Sequence, residues 1–438
     1  MASRPAFRLS AQLGLIFLCA LAGCGDGTKP APPAAGQVQK PSYDRERVTL
    51  SEAIDGGRKL IERQPENSLL ALETVSLYVE RARLTGNFDD YRDAGALLET
   101  TTARMDQRSF PCLAHARLDY TLHRMQAASA ALDACPPSVA RDEVAGLRAD
   151  IAFYSGRYAE AEAIYRELVN QVGTPQQYIR LALFRSKMGS PGEAAALLEA
   201  AEKRYHGVSA TMKAWLKVRR GALAFERGRI DEALALYAIA SDELPGWWMI
   251  DEHIAEAKRI SGDTAGATAL YADLAKRTGL PEHMDELARL LREGNTPEAA
   301  NEWVQRAERL YRERLETFPE ASAGHAVEHF LQFGAPAEAL ALARRSAAAR
   351  GDGDTQIALC AALYRAGRAG EAGACITRVQ ESGWDTPQLH AMAATIFASL
   401  GRNAEADAAR AKALARNRYA MRLYPVTPPV QSEMVSML

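Results

Sequence analysis

Four cysteines in the body of the chain are spaced for disulfide chemistry. Each pair brackets a predicted hairpin turn almost symmetrically, and antiparallel helices bring such positions opposite each other. In an oxidising compartment we therefore expect the bridges Cys112–Cys135 and Cys360–Cys375. The alternative is that all four are buried free thiols that act as small hydrophobic side chains. The chain has no Cys-x-x-Cys motif, so a redox motif or zinc ribbon is not indicated.

A second set of reactive side chains is the string His325-Ala-Val-Glu328-His329. It resembles the H-x-x-E-H signature of inverzincin metallopeptidases, in which two histidines hold zinc and the glutamate is the base. That resemblance implies a zinc peptidase as an alternative function. A third ligand from a distant segment would be needed, and no second motif supplies one. We therefore favour a solvated or partner-facing helix, with no metal and no cofactor.

Aromatic residues are the third set of candidates. Trp247 and Trp248 follow a Leu-Pro-Gly break and point to different sides of a helix start, which makes them candidates for an exposed partner-binding anchor. Tyr364 lies near a turn and could line a groove. The alternative for all three is packing between repeats. Aromatic rings that stack on sugars give another hypothesis, a carbohydrate-binding protein.

Bulk composition excludes several classes of protein. The 438 residues are 47% hydrophobic and 25% charged, which is typical of a globular chain. The net charge is −2 with acidic and basic residues mixed throughout, so there is no electrostatic footprint for nucleic acid. A Gly-rich phosphate loop and a G-x-S-x-G nucleophile motif are both missing from the sequence. We therefore expect a non-enzymatic protein.

The first residues read as a targeting segment. Arg4 and Arg8 precede an apolar run over residues 13–23, the pattern of a secretory signal. The run is too short for a stable membrane-spanning helix. Its end, Leu21-Ala22-Gly23-Cys24, resembles the lipobox of bacterial lipoproteins. The resemblance implies cleavage before Cys24 and lipidation of its thiol and new amino end.

The residues after the lipobox suggest a destination and a tether. In the lipoprotein family an Asp directly after the lipidated Cys marks retention in the inner membrane, whereas this chain has Gly25. We therefore expect an outer-membrane anchor that faces the periplasm. Residues 24–47 follow as a Pro- and Gly-rich stretch, and we predict that they form a flexible tether.

The elements that position the candidate residues repeat along the chain. In Gly228–Pro245, a turn glycine precedes one amphipathic helix with Ala233, Tyr237 and Ala240 on one face. The same pattern recurs about every 34 residues, with His123 in the turn position of one unit, Ala five residues after most turns, and a second small residue seven before. The turn glycines are Gly86, Gly156, Gly189, Gly228, Gly262, Gly294, Gly334, Gly367 and Gly401.

Two columns of small residues indicate a helix–turn–helix hairpin in each unit, because helices approach closely where small residues meet. The pattern resembles the tetratricopeptide repeat (TPR), with its small residue, aromatic four later and closing Pro. The resemblance implies an all-α, right-handed α-solenoid of about ten hairpins with a concave groove lined mainly by the first helix of each hairpin.

The predicted organisation has four parts: a lipoprotein signal peptide at 1–23, the tether at 24–47, the solenoid at 48–418 and a loose tail at 419–438. The expected function is a lipid-anchored periplasmic scaffold that binds an unknown protein or peptide in its groove. The resemblance to TPR lipoproteins implies envelope roles such as secretin, pilus or exopolysaccharide assembly. The residues themselves do not select a partner or an oligomeric state.

Overall fold

The computed structural model describes residues 41–106 and 109–429, and these residues form 22 helices. The signal segment, Cys24, the tether up to residue 40 and the last nine residues lie outside the described part. None of the described helices has the length and apolar character needed to cross a membrane. The helices are α1 (Tyr43–Arg63), α2 (Ser68–Thr85), α3 (Phe88–Thr102), α4 (Cys112–Thr121), α5 (Met125–Asp133), α6 (Arg141–Tyr154), α7 (Tyr158–Gln171), α8 (Pro175–Lys187), α9 (Pro191–Arg204), α10 (Ala210–Glu226), α11 (Ile230–Glu243), α12 (Trp248–Ser261), α13 (Thr264–Thr278), α14 (Pro281–Glu293), α15 (Pro297–Thr317), α16 (Pro319–Gln332), α17 (Pro336–Ala349), α18 (Gly353–Arg365), α19 (Ala369–Glu381), α20 (Pro387–Ser399), α21 (Asn403–Arg416) and α22 (Ala420–Leu423).

Consecutive helices pack as ten hairpins, from α2 with α3 to α20 with α21. Helix α1 stands before them as a single helix packed on α2. The small residues of the two predicted columns are buried at the helix contacts; Ala116, Ala128, Ala233 and Ala255 are 0% exposed. The predicted TPR-like α-solenoid is therefore confirmed.

In most hairpins the turn residue with left-handed backbone is the one that the sequence predicts. Gly228 has φ +71° and His123 takes φ +59° in the equivalent position of its own unit. In the α14–α15 turn, however, the left-handed residue is Asn295 at φ +61°, one position after the predicted Gly294. Asparagine tolerates this backbone conformation better than most residues. The register shifts by one as a result, and Ala300 is buried where Ala299 was expected.

Both ends of the solenoid extend past the predicted boundaries. Helix α1 begins at Tyr43, capped by the Ser42 side chain, so residues 43–47 are helical and do not belong to the tether. Residues 419–429 do not form a loose tail: Leu423 is 1% exposed, and the Pro428 carbonyl accepts a 2.8 Å hydrogen bond from Arg365 Nη1. A short helix and buried apolar residues hold this segment against the array.

The later helices α12 to α22, which we call the second superhelical turn, pack directly on the earlier helices α1 to α11, the first superhelical turn. The Gly351 N–H donates to the Tyr154 carbonyl at 2.9 Å, and the Asp385 N–H donates to the Lys187 carbonyl at 2.9 Å. We call this contact the seam. The turn after α2 meets the loop before α14, and the turns after α4 and α6 meet the loop before α18. The turn after α8 meets the loop before α20, and the turn after α10 meets the loop before α22. The solenoid is thus closed on itself over most of its length.

The turn glycines of the first superhelical turn serve the seam as well as the hairpin. A Cβ atom on Gly156 would lie 2.8 Å from the Gly351 carbonyl oxygen, and one on Gly228 would lie 2.7 Å from Asn417 Oδ1. Gly367, in the second superhelical turn, has the same backbone conformation with nothing within 4 Å of its Cβ position. Identical positions of the repeat therefore carry different packing constraints.

Candidate binding cavity

The concave side of the solenoid encloses a cavity of about 230 Å³. It is lined mainly by the first helix of each of six hairpins, α2, α4, α10, α12, α14 and α16, with further residues from the second helices α3, α11 and α15 and with Tyr424 from the C-terminal segment. A neighbouring cavity of about 90 Å³ is lined mainly by α6, α8, α16 and α18. The two share His123, Arg219, Ala321, His325 and Glu328, so they form one interior space. The predicted groove is thus present as a partly open cavity, and the seam residues His123, Leu280 and Arg350 form part of its wall.

The structure splits the His-x-x-Glu-His string between two environments. His325 and Glu328 line the cavity, with His325 Nδ1 3.8 Å from Glu328 Oε2. His329 is 1% exposed; its Nδ1 lies 2.8 Å from Asp285 Oδ1, and its ring packs on Tyr311. Among the described residues no group of three His, Cys, Asp or Glu side chains is arranged to hold a metal ion. The geometry therefore does not assemble the constellation that the zinc-peptidase hypothesis requires.

Two histidines in the cavity wall have opposite electrostatic surroundings. Burial opposes the charged form of His325, but its ion pair with Glu328 and the charges of Glu282 and Glu252 raise its pKa to about 9. Burial and the nearby Arg350 charge hold the pKa of His123 well below its usual value. Arg350 Nη1 lies 2.9 Å from His123 Nδ1 across the seam, so neutral His123 acts as the acceptor.

These shifts predict a stability maximum near pH 6.5. Stability rises with pH wherever the unfolded chain binds more protons than the folded one. Below about pH 6.5 His123 becomes protonated in the unfolded chain but stays neutral in the folded protein. The free energy of unfolding therefore falls as pH falls. Above about pH 6.5 the folded His325 keeps a proton that the unfolded chain loses, so the free energy of unfolding falls as pH rises towards 9.

Urea unfolding midpoints measured between pH 5 and pH 9 test this profile. His123→Asn, which tolerates the left-handed backbone, should flatten the acid side, and His325→Gln should flatten the alkaline side. His206→Asn changes an exposed histidine and should leave both sides as in the wild type. A wild-type midpoint that does not vary over this range would contradict the assignment.

Neither tryptophan of the adjacent pair is exposed, so the hypothesis of a solvent-facing anchor was wrong, and the alternative of packing inside the fold is the one observed. Trp247 is 0% and Trp248 8% exposed. Both indole N–H groups donate to the carbonyl oxygen of Leu84, at 3.2 and 2.9 Å. Residue 84 lies at the end of α2, so the pair joins α12 to the other superhelical turn. Only Trp248 also lines the cavity.

The other candidate residues lie in the core or in helix pairs. Tyr364 is 6% exposed and lines neither cavity, so a role in partner binding is not supported. The structure joins Cys112 to Cys135 and Cys360 to Cys375, with Cα atoms 5.4 and 5.5 Å apart. The first bond ties the start of α4 to the loop directly after α5, and the second links α18 to α19.

Sequence reasoning missed a polar stripe on α12. Trp248, Glu252 and Glu256 recur at four-residue spacing, and all three line the cavity. Spacing of i, i+4 and i+8 places side chains on one helix face. The signal was therefore present in the sequence, but an acidic stripe on a helix resembles an ordinary solvated face until the closed interior is known.

No protein-family model and no curated protein matches the chain. Among solved structures it is similar to the human IFIT1 dimer with PPP-AAAA, at 12% identity and a TM-score of 0.40, over 78% of this chain and 90% of that chain. It is also similar to Naa15/Naa10 bound to HypK-THB, at 13% identity and a TM-score of 0.28, over 84% of this chain and 67% of that chain. Both likenesses are distant, and the assignment of a TPR-like solenoid depends on the chain's own hairpins.

Proposed function

We propose that the chain is a lipid-anchored scaffold of a bacterial envelope that binds a segment of another protein in its interior cavity. The observation that carries this proposal is the cavity itself, which is lined by inner helices whose residues differ from repeat to repeat. The shared columns of small residues are buried between helices, so specificity must come from the faces of the inner helices that line the cavity. Cavities with apolar walls and a few convergent polar groups are the usual binding sites of proteins.

Photocrosslinking in the native envelope tests the binding site. A crosslinking amino acid at Met249, which lines the cavity, should capture a discrete protein partner. The same amino acid at Ile239, which is 43% exposed on the neighbouring helix α11, is the matched control and should not. Identical products from both positions, or no product from Met249, would count against an interior site.

The lipid anchor is supported by the lipobox that ends at Cys24. We expect Cys24→Ser to move the protein from the membrane fraction to the soluble periplasmic fraction, because the thiol that accepts the lipid is lost. Fractionation with immunoblotting measures this, with Cys19→Ser in the signal segment as the control that stays membrane-bound. Retention of the Cys24→Ser protein in the membrane fraction would show that another element holds it there.

The TPR lipoprotein resemblance implies outer-membrane roles in secretin, pilus or exopolysaccharide assembly.

The oxidising periplasm gives a second expected result. Cys112, Cys135, Cys360 and Cys375 should all resist alkylation in the unreduced, denatured mature protein and all react after reduction. Mass spectrometry counts the modified thiols. A Cys112→Ser variant should free one thiol, at Cys135. Four reactive thiols without reduction would mean that both bridges are absent from the mature protein.

A further inference from the structure

The wall of the larger cavity is rich in carboxylates. Besides Asp285, which faces His329, six glutamates line it: Glu226, Glu252, Glu256, Glu282, Glu286 and Glu328. Three arginines also line it, and His325 carries a proton at neutral pH. Arg289 stands behind the wall and pairs with Glu286. Asp285 and the six glutamates make seven carboxylates, against five cations when the three arginines, His325 and Arg289 are counted.

Aromatic rings share the wall with these carboxylates. Trp215, Trp248, Tyr237 and Tyr311 line the cavity and are at most 8% exposed. Ring faces attract cations, and the attraction strengthens where water is excluded. Carboxylates and rings together therefore select an occupant that is positively charged and partly apolar.

The cavity already receives one guanidinium in this way. Arg314 lies with its guanidinium carbon 4.7 Å from the centre of the Phe88 ring, while its Nη1 donates to Glu282 Oε1 at 3.0 Å. Although burial opposes it, the Arg314 and His325 charges lower the pKa of Glu282, which keeps that carboxylate ionised. Its second oxygen, Oε2, is buried and has no hydrogen-bond partner among the described residues. An acceptor of this kind needs a donor from an occupant or from water.

We infer that the cavity binds the basic side chains of a partner segment, an arginine or lysine held between the carboxylates and the rings. This inference rests on the proposed scaffold function and specifies the chemistry of its partner. The stripe Trp248, Glu252 and Glu256 on α12 supplies one ring and two carboxylates from a single helix face. The alkyl stem of the basic side chain packs on the aromatic wall and its charged group meets the glutamates.

Calorimetry with defined peptides tests the inference on the whole mature chain. The probe is the acetylated and amidated pentapeptide Ala-Arg-Ala-Arg-Ala, and its neutral counterpart carries citrulline in place of arginine. We expect the arginine peptide to bind at least about tenfold more tightly than the citrulline peptide. The double variant Glu252→Gln/Glu256→Gln should weaken the arginine peptide by about tenfold or more, since charge pairs gain strength in a cavity of low dielectric constant.

The matched control is Glu313→Gln/Glu316→Gln, which removes the same charge from exposed positions on α15 and should change the affinity less than about twofold. Equal affinities of the two double variants, or equal binding of the citrulline peptide, would overturn the inference. Spermidine is tested in the same way. If it binds more tightly than the peptide and loses affinity to the same extent in Glu252→Gln/Glu256→Gln, the occupant is a small polyamine and the inference of a peptide partner is wrong. If Met249 still crosslinks a protein partner when the arginine peptide fails, the scaffold function stands and only the charge preference is wrong.

Discussion

Replacing Asp150 by alanine should cost about 3–5 kcal/mol of the free energy of unfolding, because it leaves a buried guanidinium without its counter-ion. Asp150 is 0% and Arg180 2% exposed. Arg180 Nε donates to both carboxylate oxygens of Asp150, at 2.9 and 3.2 Å, and the Tyr165 hydroxyl donates to Oδ1 at 2.9 Å. The three residues lie on α8, α6 and α7, so the pair fastens two successive hairpins.

The surroundings of this pair make the loss of the carboxylate severe. Burial, together with the charges of Arg83 and Arg180, lowers the pKa of the neighbouring Arg117 to about 10. Positive charge is therefore already concentrated here, and Asp150 is the carboxylate that both Arg180 and Tyr165 contact. Gly146 leaves the room for the guanidinium, since a Cβ there would lie 2.7 Å from Arg180 Nη1.

Urea unfolding of single and double variants measures the effect. Asp150→Leu/Arg180→Met should lose much less than Asp150→Ala, because no charge remains buried. Glu160→Ala is the matched control: its pair with Arg157 is about half exposed, and its removal should cost less than about 1 kcal/mol. A loss from Asp150→Ala no larger than that control would show that water reaches Arg180.

Much of the fold was predictable because its rules are local. A left-handed turn residue and small residues at fixed offsets define most of the hairpins, although the α16–α17 turn at Gly334 has no left-handed residue. His123 could be placed in a turn from spacing alone. The one-residue error at Ala299 has an equally local cause. Gly294 was the obvious turn residue, but Asn295 adopts the left-handed conformation, and the buried alanine moves with it.

The seam and the cavity were not predictable in the same way. Their contacts join residues about two hundred positions apart, such as Tyr154 with Gly351. They depend on the small rotation between neighbouring hairpins, which accumulates along the array and leaves no period in the sequence. Trp247 shows the consequence: read locally it is a candidate anchor, whereas the closed superhelix buries it against Leu84.

Gly156→Ala should loosen the seam, whereas Gly367→Ala should not. Both glycines sit in the same repeat position at nearly the same backbone angle, φ +77° and +76°. Each alanine should lower the free energy of unfolding by about 1–2 kcal/mol, because a residue with a Cβ atom is strained in the left-handed conformation. At position 156 the new methyl group also meets the backbone of Gly351 at 2.8 Å, and such overpacking adds roughly 1–3 kcal/mol.

Hydrogen exchange at the Gly351 amide reports on the seam directly, because that N–H donates across it to Tyr154. We expect its protection to fall in Gly156→Ala and to stay at the wild-type level in Gly367→Ala. Equal protection in both variants would mean that the opposing backbone shifts without breaking the contact.

The same comparison also bears on function, because seam residues form part of the cavity wall. A partner that inserts a basic side chain must pass either through the seam or through the open part of the cavity. If opening limits entry, the arginine peptide should associate faster with Gly156→Ala than with Gly367→Ala.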